Sequence, residues 1–224
     1  MKRIQAVIVL AVMALSFSTM AQTAATNPQE QPSPQSQLVD AARKGDIVAV
    51  EQLLVKGVSI DSRNRGGFTA LIVAAVSGQT SVVELLLTKG ARLDLQDDRG
   101  DTALHYAVMT GNIEIAKLLL AKGANVEIQE EGGLTPLMQS IVSGSPELVK
   151  LLLDHGANTE TRDKNGFTAL MAASGSGLID LVKLLLDHGA QVNAKSDEGA
   201  TALTLATNSG KTDVVALLRE RGAQ

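Results

Sequence analysis

The sequence predicts an all-α solenoid of stacked helix pairs joined by short hairpin fingers, and three observations carry that prediction. From residue 38 onward the chain repeats every 33 residues without an insertion or deletion. Seventeen of the 20 glycines fall on this period in three series: Gly45, Gly78, Gly111, Gly144, Gly177 and Gly210; Gly57, Gly90, Gly123, Gly156, Gly189 and Gly222; and Gly67, Gly100, Gly133, Gly166 and Gly199. Hydrophobic residues make up 45% of the chain but aromatic ones only 2%, so the core must be aliphatic, which suits small helices packed closely.

Taken in chain order, the first element is an address. Met1-Lys2-Arg3 is a short basic start, residues 4–17 are mostly apolar, and Thr19 and Ala21 put small residues at −3 and −1 before Gln22. This pattern predicts a secretory signal peptide over residues 1–21. The apolar run is shorter than the roughly 20 residues a spanning helix needs, so no membrane insertion is expected after cleavage. Residues 22–36 (QTAATNPQEQPSPQS) carry three prolines and little that could be buried, and read as a disordered linker. The folded domain is expected over residues 37–224.

That domain reads as an N-terminal capping unit followed by five full repeats. The capping unit keeps the helix pair, with Ser36 in the register of the repeated threonines, and Arg43 and Lys44 make it more polar. Residues 102–124 (TALHYAVMTGNIEIAKLLLAKGA) illustrate a full unit. Thr102 can accept a hydrogen bond from a free helix-start amide. Leu104, Ala107 and Val108 give the first helix a narrow apolar stripe, and Gly111 ends it. Ile115, Ala116, Leu119 and Leu120 form the buried face of the second helix, which Gly123 ends. In the next unit Pro136 and Pro146 occupy first helical positions, where no intrahelical bond is lost. Polar segments such as residues 127–133 join the units as fingers. At the far end Arg219 stands where Leu87, Leu120, Leu153 and Leu186 stand in the other units, as a soluble C-terminal cap requires.

Units reading Gly-x-Thr-[Ala/Pro]-Leu, with a central glycine and a Leu-Leu-x-x-Gly-Ala ending, resemble ankyrin repeats, here of an exported bacterial type. The resemblance covers residues 38–223. The family's usual proline appears only as Pro136 and its usual histidine after leucine only as His105. It implies a protein-binding module that uses the concave face, meaning the fingertips and the exposed side of each first helix. Carried over by position, the surface would be lined by Phe68, Val76, Met109, Leu134, Val142 and Phe167. Only three aromatic residues follow the leader, and two of them, Phe68 and Phe167, fall at these positions. Aromatic anchors in an apolar stripe with a polar rim are what an interface centre contains.

Chemistry is not expected. There is no cysteine, hence no disulfide, thiolate metal site or cysteine nucleophile. The net charge is −4; without Lys2 and Arg3 there are 18 basic against 24 acidic residues, or −6, which disfavours nucleic acid and anionic membranes as partners. The glycines follow the repeat and form no phosphate-binding motif. His155 and His188, in identical LLLDHGA segments, suit caps of helix carbonyls better than metal ligands. The carboxylate pairs Asp97-Asp98, Glu130-Glu131 and Asp197-Glu198 read as a solvated fingertip rim. The expectation is a non-enzymatic, monomeric, periplasmic or secreted adaptor, inhibitor or stabiliser of another protein, without a cofactor or metal. A chaperone or immunity-type protein for one enzyme or effector is a narrower version. An enzyme with a site on the concave surface, or an envelope-attached spacer, is the alternative of another class.

Overall fold

A computed structural model describes residues 33–224; the expected signal peptide and most of the expected linker lie outside the described residues. Within them are twelve helices and no strand. The inner helices are α1 (Pro34–Lys44), α3 (Ala70–Val76), α5 (Ala103–Met109), α7 (Pro136–Ser143), α9 (Ala169–Ser176) and α11 (Ala202–Asn208). Each is followed by its outer helix: α2 (Ile47–Val55), α4 (Thr80–Thr88), α6 (Ile113–Ala121), α8 (Pro146–Asp154), α10 (Ile179–Asp187) and α12 (Thr212–Glu220). The result is an all-α solenoid of six helix pairs.

The periodic residues do what their chemistry dictates. The hydroxyl of Thr69, Thr102, Thr135, Thr168 or Thr201 accepts the amide three residues on at the start of each inner helix from α3 onward. Pro136 and Pro146 open α7 and α8. Helix α1 departs from the expected register. It begins at Pro34 with Ser33, not Ser36, as its cap, because a proline at the first helical position and a serine before it extend the helix into the segment read as linker. All 17 in-register glycines have positive φ.

The core lies between the inner and outer layers and runs unbroken along the stack. The stripes read from the second full unit, Leu104, Ala107 and Val108 with Ile115, Ala116, Leu119 and Leu120, are all buried. Neighbouring inner helices pack on one another more extensively than neighbouring outer helices, so the stack closes towards its inner side.

One set of hydrogen bonds closes the fingers and two ladders tie the units together. Each finger is closed by a main-chain bond, such as Asp97 N–H to Asp101 O at 2.9 Å and Asp163 N–H to Phe167 O at 3.0 Å. Successive fingers are joined by Asp98 N–H to Gly66 O, Glu131 N–H to Arg99 O, Lys164 N–H to Gly132 O and Asp197 N–H to Asn165 O, at 2.7 to 3.2 Å. Behind the fingers, Asp61, Asp94, Glu127, Glu160 and Asn193 accept the main-chain N–H of Arg92, Asn125, Asn158, Gln191 and Gln224 at 2.7 to 3.0 Å. The close approach of the fingers is why Gly133 has no side chain: a Cβ there would sit 2.7 Å from Lys164 N, at φ +85°.

Candidate binding surface

The inner helices and fingers put the six expected surface residues in three different environments. Val142, near the end of α7, is 56% exposed. Met109, Leu134 and Phe167 are half-buried and pack on the core with part of each side chain outward. Phe68 and Val76, expected at the surface, are buried. Phe68 is only 5% exposed because Tyr106, in the following unit, lies over it with ring centroids 6.0 Å apart and planes tilted by 47°. Val76 belongs to α3, all of whose residues are buried between α1 and α5. The apolar part of the surface is therefore centred on Met109, Leu134, Val142 and Phe167, and Phe68 helps to hold the second finger in place.

Beside this apolar centre is a polar cluster that the sequence does not announce. The first carboxylate of each acidic fingertip pair in the second and third fingers turns inward. Asp97 is buried and accepts the N–H of Arg99 and of Asp101, both at 2.9 Å, and the Tyr106 hydroxyl at 2.7 Å. Glu130 accepts the N–H of Leu134 at 2.9 Å. Asn64, Asp163 and Ser196 do the same job in the other fingers. Asp97 and Glu130 thus close finger turns, while Asp98 and Glu131 keep the expected solvated rim.

Asp101 stands in the column otherwise filled by Phe68, Leu134, Phe167 and Ala200. Its carboxylate is buried and takes one bond, from Gln139 Nε2 at 3.3 Å across the junction between α5 and α7. Burial, with the negative charges of Asp97 and Glu130 adding to it, pushes the Asp101 carboxyl up to about 7; Arg99 and Gln139 oppose the rise. Burial, then the bond to Asp97, raises the Tyr106 phenol above its ordinary value.

His105 belongs to the same junction. Its Nδ1 accepts the Thr102 N–H at 3.2 Å, which fixes the tautomer and leaves Nε2–H to donate to Leu134 O at 3.3 Å in the next finger. Burial pushes this imidazole down to about 4, so it is neutral. The first bond lies at the helix start, and the second spans two units. His155 and His188 are exposed and donate from Nδ1 to the carbonyls of Leu151 and Leu184, both at 2.8 Å, as helix caps. Among the described residues no three His, Cys, Asp or Glu side chains converge as a metal site would require.

The rim is mixed in sign. Arg63, Arg65, Arg99, Arg162, Lys164 and Lys195 are exposed among Asp98, Glu131, Asp197 and Glu198, and Arg162 bonds Asp197 at 3.1 Å. Such a surface orients a partner over short distances, and salt weakens it.

An all-α stack of helix pairs with fingers along one edge and a stepped inner face is a protein-interaction scaffold of the repeat class. Residues 38–130 and 137–224 match the family described as ankyrin repeats (3 copies), and the chain belongs to that family. Comparison with the curated proteins found no match. Ankyrin repeats are in general protein–protein interaction modules.

Proposed function

We propose that the chain is an exported, non-enzymatic adaptor that holds another extracytoplasmic protein against its inner face. The observation that carries this reading is Val142: a large apolar side chain left 56% exposed in the middle of the inner-helix row, with Met109, Leu134 and Phe167 half-exposed on the inner helices and fingers and charged residues at the fingertips. An apolar centre inside a polar rim is the composition of a protein interface. The leader-like residues 1–21 and the lack of cysteine support a periplasmic or secreted location. One copy of the chain presents the whole surface.

The test is affinity capture from the extracytoplasmic fraction of the source organism, with the native chain beside Val142→Asp and Phe167→Ala variants whose helicity is unchanged. A protein retained by the native chain and lost by both variants supports the adaptor reading. Equal retention by all three sinks it. Turnover of a substrate that disappears on one polar substitution at Asp101 or Gln139 would replace it with the enzymatic alternative.

A further inference from the structure

The 33-residue register makes the two ends of the stack comparable with its internal junctions. At one seam, outer helices meet through a fixed pair of positions. Lys117 of α6 reaches Glu147 of α8, with Nζ 3.2 Å from Oε1. In the same register stand Glu51 and Ser81, Glu84 and Glu114, Lys150 and Asp180, and Lys183 and Asp213, although the Lys150 ammonium bonds Asp154. Every internal pair is polar or charged. Among the described residues the two members of this register without a counterpart are Val48, in the first helix pair, and Ala216, in the last. Both are exposed, Val48 by 62%. An apolar residue at each free end of a seam that is polar throughout its interior is the reverse of what a solvent-facing cap needs.

The surroundings agree. The C-terminal end carries an open groove of about 280 Å³ between α11 and α12, lined by Thr207, Gly210, Lys211, Val215, Ala216 and Arg219 among others. At three of the five internal junctions the residue just after a central glycine sits on the glycine of the unit before it: the Gln79 side chain lies over Gly45, Asn112 over Gly78 and Lys211 over Gly177, while Gly111 and Gly144 are uncovered. Repeated once more, this geometry lays Asp46 of a second copy over Gly210, in a groove made basic by Lys211 and Arg219. Asp46 is exposed, and its Oδ1 accepts the Ala49 N–H at 2.9 Å.

We propose that this chain associates head to tail with a second copy of itself, the α1–α2 end of one copy stacking on the α11–α12 end of the other as though it were the next repeat, with Val48 against Ala216. The sequence is expected to give a monomer, and Gln52 and Arg219 do keep each end partly polar. The contact is accordingly weak and shows itself as concentration rises. A heterologous contact of this kind leaves one free end at each side, so association proceeds to dimers and then to longer species.

Sedimentation velocity of the purified protein over a wide concentration range reads this directly, with circular dichroism confirming that every variant is folded. The wild-type average mass is expected to rise with concentration. V48E is expected to weaken association roughly tenfold or more, by removing an apolar contact and placing a carboxylate against Ala216. The double variant V48E/A216K recreates the Lys117–Glu147 pair across the junction and is expected to recover association. A wild-type protein that remains a single chain throughout overturns the proposal, as does association that V48E leaves unchanged. A folded double variant that behaves like V48E overturns the head-to-tail register.

Discussion

Two junctions of the stack share one frame and are held by different means. Between the α5–α6 and α7–α8 units the inner face is joined by buried polar groups, Gln139 on Asp101 and His105 bridging to the Leu134 carbonyl, beside the Tyr106–Asp97 bond within the first of these units. Between the α9–α10 and α11–α12 units the positions corresponding to Asp101, His105 and Gln139 are Phe167, Met171 and Leu205, all apolar, and Arg162 makes an exposed polar link to Asp197. The repeat fixes where helices start, stop and stack, and leaves each junction free to be dry or polar. A buried polar junction is costly to disturb, since each group deprived of its partner stays desolvated. An apolar one tolerates change in proportion to the area lost.

The sharpest break in this comparison should come from the finger glycines. Gly133→Ala places a Cβ against the main chain of the next finger at positive φ, and should lower stability by about 3 kcal/mol. Gly199→Ala, at φ +80° but with nothing within 4 Å of the added Cβ, should cost about 1 kcal/mol. Urea midpoints of the two variants measure the difference; equal losses would mean that finger contact does not constrain the third glycine series.

Tyr106→Phe should come next. It leaves the ring against Phe68 and removes one donor from the buried Asp97 carboxylate, at a cost of about 1–2 kcal/mol by the same measurement. A neutral result would show that water replaces the hydroxyl and that the cluster is not sealed.

The dependence on pH separates the junctions more finely. In the folded chain Asp101 keeps its proton up to about pH 7, against an ordinary value of 3.8. Folding therefore takes up a proton between those values, and this residue makes stability fall as pH rises from about 4 through 7. His105 acts in the opposite sense. It gives up its proton near pH 4 in the fold and near 6.5 when unfolded, so its contribution grows as pH rises between them. Asp101→Asn should remove the falling slope and leave the rising one, in unfolding curves recorded from pH 4 to 8. Superimposable slopes for variant and wild type would place the Asp101 titration outside this window. The smallest effect belongs to the rim: Asp197→Ala breaks the exposed pair with Arg162 and should change stability by less than about 1 kcal/mol.

Much of this fold can be read from spacing alone. Threonine caps, helix-ending glycines and aliphatic stripes act within a few residues of chain, so their periods locate the helices. Helix α1 starts a turn before its repeat position because Ser33 and Pro34 are local signals outside the period. The binding surface was less readable for a different reason. Whether Phe68 faces water depends on Tyr106, one unit on and unique in the chain, and whether Asp97 turns inward depends on amides and a hydroxyl brought to it by the finger. A signal was present in the columns: a lone acid, Asp101, among Phe68, Leu134, Phe167 and Ala200, and a lone tyrosine, Tyr106, among Val73, Gln139, Ala172 and Leu205. Departures from a column mark where neighbouring units adapt to each other.

The ladder behind the fingers, in which Asp61, Asp94, Glu127, Glu160 and Asn193 each accept an amide of the next unit, has a bearing on how such a chain changes length. The donor in every rung is main chain, which any residue but proline supplies, so only one side of each joint is written in side chains. A unit copied or deleted as a block of 33 residues brings its own acceptor and finds a donor already waiting. Such a gene can gain or lose whole units by recombination without first evolving a matched pair of residues, and the reach of the binding face can change while its joints stay the same.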